Sequence, residues 1–344
     1  MSASTDTAAA QDTRTMRAWR QTRYGGPEAV HPVTADIPVA GAGEVVVRVR
    51  AAALNAADIH IMRGEPLLLR AFFGLRRPKE QVRGRDVAGT VIAVGPGVAG
   101  LAIGEEVLGE LAGGGLAEYV KTPASQVVPR PAALDPITAA ALPLAGGTAW
   151  QAVELGAVAD GRRVLVIGAS GGVGTYAVQL AALRGADVWA LCGARSRALV
   201  EGLGASRTFD YTTTDAAGLP PASFDVVLDI AGTAPLRRLR SLLRPGGTLV
   251  LVSGEGGRLL GPIGRILRAS ALNLLGRGRR IRPLAATTKP EITARLAALA
   301  ADGSLRAVIE RTWPLERARE AIAHVDAGHT VGKVVVAIAP DDRA

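Results

Sequence analysis

A glycine-rich turn within VLVIGASGGVG, residues 164–174, carries the clearest chemical signal of the chain. A strand-like apolar run leads into Gly168, Gly171 and Gly174, and an apolar stretch typical of a helix follows. Such glycines permit a tight turn, and the free N–H groups that begin the helix can bind a pyrophosphate. Similar turns also occur for packing alone, and the spacing is GxxGxxG rather than GxGxxG. Since strand, loop, helix and second strand follow in order, the segment predicts a dinucleotide site.

The end of the second strand, ALCGARSR at 190–197, bears on the choice of dinucleotide. An NAD site usually has an acidic residue there to bind the ribose 2′-hydroxyl, whereas a 2′-phosphate requires a cation instead. Gly193 occupies the expected acidic position, and Arg195 and Arg197 follow it. This pattern favours NADPH over NADH. The alternative is that both arginines only solvate the first turn of a helix.

The segment NAADIH, residues 55–60, supplies the candidate catalytic side chains Asn55, Asp58 and His60. The Asn55 amide could donate to the cofactor ribose or to a substrate carbonyl. Asp58 could equally be a turn or cap carboxylate. His60 could bind a substrate oxygen or donate a proton, although a single histidine is as often a surface or packing residue. Cys192, the single cysteine, is interpreted as a small apolar residue rather than a nucleophile.

The elements that must position these residues fall into two kinds of pattern. Short β-like runs broken by glycine turns predict a small barrel at 16–138. From 139 to 288, apolar runs alternate with helical stretches, which predicts a doubly wound parallel sheet. Residues 289–344 contain two helix and strand pairs that we expect to return to the first domain. Residues 1–15 are small and polar and are predicted to be a disordered tail.

Composition narrows the classes of protein to which the chain can belong. Its 344 residues suggest about two domains, and one cysteine excludes an internal disulfide or a cysteine-rich zinc site. The net charge of +9 comes with only 3% aromatic residues and no DNA-binding motif, so nucleic acid is a poor candidate partner. No signal-like or membrane-spanning run is present in the sequence, and we expect a cytoplasmic location.

Two short windows carry the excess positive charge. Residues 63–85 contain seven basic and two acidic residues, and residues 255–282 contain seven basic residues and one acidic residue. In the second window, an apolar stripe has helical spacing, with Arg265 and Arg268 off the stripe; it consists of Ile263, Ile266, Leu267, Ala271 and Leu274. We expect this helix to pack on its own domain with solvated arginines. The alternatives are contact with an anionic membrane or with a phosphopantetheine-linked substrate.

The chain from Met16 to Ile338 resembles the medium-chain dehydrogenase/reductase superfamily, in its zinc-free quinone oxidoreductase (zeta-crystallin-like) branch. The motifs that carry the resemblance are ALNAADIHIMRG (53–64), GRDVAGTVIAVGPGV (84–98), GEEV (104–107), LAEYV (116–120), GGTAWQAV (146–153), GASGGVG (168–174), FDY (209–211) and AGHTVGKVVV (327–336). The segment GPIGRILRA (261–269) also looks like the reticulon-interacting-protein subgroup.

This resemblance implies a GroES-like β-barrel joined to a Rossmann domain, with the active site between them, and a homodimer. It implies a pyrophosphate site at Ser170, Gly171, Gly172 and Val173, an adenosine and 2′-phosphate site at Gly193, Arg195 and Tyr211, and a nicotinamide site near Asn55 and Thr148. Ser253 is a further implied cofactor contact, and His329, Gly332 and Lys333 would close over the cofactor. Val331 stands where the family often has arginine.

The resemblance also argues against a metal. Zinc-dependent relatives hold the catalytic ion with a cysteine, a histidine followed by glutamate, and a second cysteine, and here Asn55, Arg85 with Asp86, and Leu144 match those positions. These side chains cannot form a tetrahedral zinc site. We therefore predict an NADPH-dependent reductase of quinones or α,β-unsaturated carbonyls, with a small-molecule substrate. The alternatives are an NADP-dependent alcohol or carbonyl oxidoreductase and a cofactor-binding protein without catalytic activity.

Overall fold

The computed structural model describes residues 15–214, 218–252, 261, 263–274 and 278–339. Thr15, the last residue assigned to the predicted tail, is the first residue of a β-strand and pairs with Asp36. The rest of that tail lies outside the described residues. Among the described residues, no helix is both long enough and apolar enough to span a membrane.

The first part of the chain is mostly β-structure. Its elements are β1 (Thr15–Gln21), β2 (Val30–Asp36), β3 (Glu44–Leu54), α1 (Ala56–Arg63), α2 (Arg70–Phe73), β4 (Asp86–Val94), β5 (Glu106–Glu110), β6 (Tyr119–Pro123), β7 (Val127–Pro129) and α3 (Pro136–Ala140). β3 is central and pairs with both β4 and β6. Two register shifts between β3 and β4 are irregularities of the kind that bend a sheet toward a barrel.

The second part alternates strands and helices. Its elements are α4 (Pro143–Leu155), β8 (Arg163–Ile167), α5 (Gly172–Leu183), β9 (Asp187–Cys192), α6 (Arg197–Gly202), β10 (Arg207–Asp210), β11 (Phe224–Asp229), α7 (Leu236–Leu242), β12 (Leu243–Leu251), α8 (Ile263–Leu274) and β13 (Arg280–Pro283). The six strands run parallel in the order β10-β9-β8-β11-β12-β13. This is the doubly wound order, whose ligand crevice lies at the carboxyl ends of β8 and β11, where the connecting segments leave in opposite directions along the sheet.

The chain then returns to the first sheet. α9 (Pro290–Ala301) is followed by β14 (Ile309–Pro314), α10 (Ala318–Asp326) and β15 (Lys333–Ala337). β15 pairs antiparallel with β3, and β14 pairs with β15. A continuous buried cluster joins the two sheets, since it includes Ala53 and Leu108 of the first and Val164 and Val166 of the second. The predicted combination of a GroES-like domain and a Rossmann-type sheet is confirmed.

The prediction that the helix of the second basic window packs on its domain with its arginines solvated is wrong. Its helix forms as α8, but Leu267 and Leu274 of the apolar stripe are exposed, while Arg265 turns inward. The Arg265 Nη2 atom lies 2.5 Å from Oδ2 of Asp229, a buried carboxylate at the end of β11. An unpaired buried carboxylate is costly, so this ion pair accounts for the rotation of the helix.

Candidate functional site between the two sheets

The glycine loop makes a tight turn between β8 and α5. Gly168 has a φ of +82°, and a Cβ on Gly174 would lie 2.1 Å from the Gly168 carbonyl oxygen, so both positions require glycine. Gly171 precedes α5 and provides no side-chain cap. A Cβ there would approach only the Gly168 oxygen, at 3.5 Å. Among the described residues, space beside Gly171 thus remains at the N-terminus of α5, and this fits a pyrophosphate.

The C-terminal return segment contacts this loop directly. The Gly332 N–H donates to the Ser170 carbonyl at 2.8 Å, and Gly332 forms an isolated bridge with Gly171. A Cβ on Gly172 would lie 3.2 Å from Cδ of Lys333. Val173 is half-buried in the first turn of α5. The structure thus brings the predicted pyrophosphate residues together with Gly332 and Lys333.

The predicted adenosine residues meet at the end of β9. The space beside Gly193 faces Tyr211, whose Cε1 atom would lie 3.5 Å from a Cβ at that glycine. Arg195 is exposed, and its Nη2 atom donates to the His329 carbonyl at 2.6 Å. His329 has a φ of +63°, a left-handed conformation in the return segment. Gly193, Arg195, Tyr211 and His329 therefore lie at one place.

Arg197 has a different environment from Arg195. Its Nε atom donates to the Thr208 hydroxyl at 2.9 Å, and that hydroxyl donates to Glu201 at 2.5 Å. The guanidinium is therefore engaged within the α6 and β10 region. Cys192 is buried, which raises the pKa of its thiol and is unfavourable for a nucleophile.

Asp58 accepts hydrogen bonds from backbone N–H groups near the start of α1. Its Oδ2 atom accepts from the Asn55 N–H at 3.0 Å, and its Oδ1 atom accepts from the Gly84 N–H at 3.2 Å. Burial raises the pKa of this carboxyl, and the positive charge of Arg83 opposes that effect. Both carboxylate oxygens hold backbone amides, which is the arrangement of a cap.

Asn55 lies in a buried polar cluster with Asp86 and Lys333. The Asn55 Nδ2 atom donates to Asp86 Oδ2 at 3.0 Å, and the Lys333 ammonium donates to Asn55 Oδ1. Lys333 also donates to the Leu54 carbonyl at 3.2 Å and lies 3.3 Å from Asp86 Oδ2. The Asn55 amide has two N–H bonds, and the described residues provide an acceptor for one of them, Asp86.

Asp86 links this cluster to the second sheet, and sequence reasoning missed its role. Its Oδ1 atom accepts from the Leu144 backbone N–H of α4 at 2.9 Å. Thr148 is half-buried one helical turn beyond Leu144, and so shares its face of α4. The signal in the sequence was a lone aspartate at the start of a buried strand, considered only as a position matching a metal ligand.

His60 lies apart from this cluster. It is exposed on α1, whereas Asp58, Ile61 and Met62 form the buried face of the same helix. Its predicted catalytic role therefore stays a prediction. Ser253 lies outside the described residues.

A cavity of about 320 Å³ has Arg85, the residue before Asp86, in its wall. Its apolar walls include Ile61, Phe72, Phe73 and Leu111, and its charged walls include Lys79, Glu80, Arg83 and Arg85. Arg85 immediately precedes Asp86 and donates to Glu110 at 2.9 Å. Burial lowers the pKa of Arg83, whose Nε and Nη2 atoms have no acceptor among the described residues. The cavity thus combines an apolar surface with cationic hydrogen-bond donors, as small-molecule sites do.

Comparisons with known proteins agree with this architecture. The family described as alcohol dehydrogenase GroES-like domain matches residues 41–132, and the family described as zinc-binding dehydrogenase matches residues 203–336. The chloroplast envelope quinone oxidoreductase homolog of Arabidopsis thaliana is 34% identical over 93% of this chain and 98% of its own length. The chain belongs to the quinone oxidoreductase branch of the medium-chain dehydrogenase/reductase family.

Two further similarities fit this assignment. The mitochondrial NAD(P)H oxidoreductase RTN4IP1 of Mus musculus is 31% identical over 93% of this chain and 89% of its own length. The solved quinone oxidoreductase of Coxiella burnetii superposes with a TM-score of 0.84 at 26% identity, covering 95% of this chain and 100% of that one. The predicted family and its reticulon-interacting subgroup are confirmed.

In this oxidoreductase, the residues that match the family's catalytic metal ligands are bonded to other protein side chains. Asn55 is bonded to Asp86 and to the Lys333 ammonium, and the Arg85 guanidinium is paired with Glu110. Among the described residues, no three histidine, cysteine, aspartate or glutamate side chains form a group that could hold a metal. The Asn55 amide and the Lys333 and Arg85 cations, with Asp86 already bonded to Asn55 and Lys333, do not fit a zinc site.

Proposed function

We propose that this chain is an NADPH-dependent, zinc-independent reductase that transfers hydride to a quinone or to the β-carbon of an α,β-unsaturated carbonyl. One observation carries the proposal. Lys333 reaches from the glycine loop to Asn55, so a dinucleotide on the loop would extend toward the buried cluster. The names of the quinone oxidoreductase relatives support the same substrate class.

The residues around the glycine loop support NADPH as the cofactor. The N–H groups at the start of α5 would hold the pyrophosphate, and Gly332 would close the other side. Arg195 is exposed beside Gly193 and Tyr211, and it would bind the 2′-phosphate. Reduced nicotinamide supplies a hydride when it is bound.

The side chains of the cavity would support reduction of a conjugated substrate. Hydride delivery to such a substrate places negative charge on its oxygen atom. The guanidinium groups of Arg83 and Arg85 in the cavity wall are the donors that would stabilise this charge, and the second Asn55 N–H would be a further donor outside that wall. The apolar walls would hold the ring or alkene and limit the access of water.

NADPH oxidation by the purified full chain tests the proposal. Quinones, enones and aldehydes are compared as substrates, with product identification and with a chelator present in a parallel series. We expect turnover with quinones or enones, and the chelator should leave the rate unchanged. Reduction confined to aldehydes would instead support the carbonyl oxidoreductase, and cofactor binding without any turnover would support the non-catalytic alternative.

The choice of cofactor is tested by comparing two neighbouring arginines. Arg195→Ala should lower the ratio of NADPH to NADH affinity by about tenfold or more, since it removes a charge-assisted contact with phosphate. Arg197→Ala is the matched control, because that side chain is engaged with Thr208. An unchanged affinity ratio in Arg195→Ala would remove the basis for NADPH preference.

The origin of the proton is tested at His60. If this exposed side chain is the donor, His60→Ala should lower the turnover number and remove a titration from its pH profile. If both stay intact, solvent supplies the proton directly. The homodimer and the cytoplasmic location implied by the sequence stay predictions.

A further inference from the structure

The apolar side of α8 faces solvent. Leu267 and Leu274 are 64% and 90% exposed, and Ile266 is 38% exposed. The opposite side of the helix holds the buried Ala269 and the Arg265 guanidinium that pairs with Asp229. This ion pair fixes the helix with its apolar side chains outward, so packing within the described chain leaves them uncovered.

A second segment also has exposed apolar side chains. Leu68, Phe72 and Leu75, in and beside α2, are 40%, 68% and 75% exposed. The chain just before α8 contacts the chain before α2, since a Cβ on Gly261 would lie only 2.3 Å from Cγ of Pro66. The two segments that carry the six exposed side chains therefore start from one point of contact.

The surroundings of these side chains are strongly basic. The described residues within 66–79 and 261–283 include nine arginines and lysines and no acidic residue. Arg76, Arg77, Lys79 and Arg268 are exposed and form no ion pair within the described chain. The nearest acidic residues in sequence are Glu65 and Glu80, which flank the first segment. We name these four cations and the six apolar side chains the basic apolar surface.

We propose that the basic apolar surface docks this protein on the surface of an anionic lipid bilayer. Exposed leucine and phenylalanine side chains can enter the boundary between headgroups and acyl chains, and neighbouring arginines bind anionic headgroups. A second copy of the chain is a poorer occupant, because a symmetric contact would bring the same cations together.

The basic apolar surface also adjoins the cavity. Phe72 and Lys79 contribute to this surface and line the cavity wall. Docking would therefore place the cavity near the lipid, where an apolar quinone or enone would be concentrated. The link to substrate entry rests on the proposed function, whereas docking itself does not.

Co-sedimentation of the full chain with vesicles tests the proposal without measuring turnover. Vesicles of phosphatidylcholine alone are compared with vesicles that also contain phosphatidylglycerol, at low and high salt. We expect binding to the anionic vesicles at low salt, weaker binding at high salt, and little binding to phosphatidylcholine alone.

Variants assign the binding to this surface. Arg77→Gln/Arg268→Gln removes one cation from each segment and should weaken binding to anionic vesicles by about tenfold to thirtyfold. The matched control, Arg162→Gln/Arg306→Gln, removes two exposed arginines elsewhere and should bind more tightly than that variant. Leu267→Gln/Leu274→Gln should reduce the binding that remains at high salt.

Three results would overturn the proposal. The first is an absence of binding to anionic vesicles at low salt, and the second is equal weakening in the two arginine variants. The third is a change in oligomeric state, without a change in vesicle binding, in the leucine variant, which would assign the surface to a second copy. Failure of NADPH oxidation would leave these results interpretable, because vesicle binding requires no substrate.

Discussion

Asp86 and Asp229 are both fully buried, and each lies beside a cation, yet their surroundings differ. Asp86 accepts from Asn55, from Lys333 and from the Leu144 backbone of the opposite domain. Asp229 accepts from Arg265 and the Gly232 backbone, within one domain. The first carboxylate joins the two sheets at the candidate site, whereas the second orients one helix. A buried ion pair can therefore assemble a site or turn a surface outward.

The largest expected effect is at the domain junction. Lys333→Met should lower the free energy of unfolding by about 3–5 kcal/mol, because Asp86 would remain buried without its cation. Chemical denaturation without cofactor measures this change. The double variant Lys333→Met/Asp86→Asn should lose less, since it leaves no uncompensated charge. An equal loss in both variants would show that the charge on Asp86 is not the cause.

The pair below α8 should be easier to break. Burial raises the pKa of Asp229, and Arg265 opposes that effect, so the carboxyl can take up a proton when the arginine is removed. Arg265→Met should therefore cost about 1–3 kcal/mol. Denaturation measures this cost, with the exposed Arg268→Met as the control. A loss as large as that of Lys333→Met would remove the distinction between the two pairs.

The same variant should make stability depend more strongly on pH. A carboxyl whose pKa is higher in the folded state than in the unfolded state binds more protons when folded, so stability falls as pH rises through that interval. Removing Arg265 raises the folded-state pKa of Asp229 further. The stability lost in Arg265→Met should thus be smaller at pH 5 than at pH 8, and a pH-independent loss would contradict this explanation.

The exposed ion pair between Arg63 and Asp326 should contribute least to stability among the three pairs. Arg63 binds Asp326 through two hydrogen bonds of 2.7 and 2.6 Å, but the Arg63 side chain is 44% exposed. Arg63→Gln should cost about 0.2–1 kcal/mol, because water already screens the pair. Thermal unfolding at low and high salt measures the effect, and a loss above that of Arg265→Met would reverse the order.

The elements of the fold were largely predictable from the sequence because their signals are local. Gly168, Gly171 and Gly174 mark the turn between β8 and α5, and continuous apolar runs mark the buried parallel strands. The arginines after β9 were also recognisable, although only the structure shows that Arg197 bonds to Thr208 whereas Arg195 bonds to the His329 carbonyl of the return segment.

The polar cluster was not predictable in the same way. Asn55 and Lys333 are 278 residues apart in sequence, and nothing local indicates that they bond. The orientation of α8 illustrates a second limit. Helical periodicity identifies side chains that share a face, but the buried Asp229 on another element decides that Arg265 turns inward.

Hydride transfer from NADPH to a conjugated substrate is the central claim, and isotopic labelling tests it most directly. NADPH carrying deuterium at C4 of the nicotinamide is incubated with the full chain and 4-phenylbut-3-en-2-one, and the product is analysed by NMR. We expect a saturated ketone with deuterium on the carbon that was β to the carbonyl. Deuterium on the carbonyl carbon of an alcohol, or a lack of NADPH oxidation with both this enone and a quinone, would contradict the account.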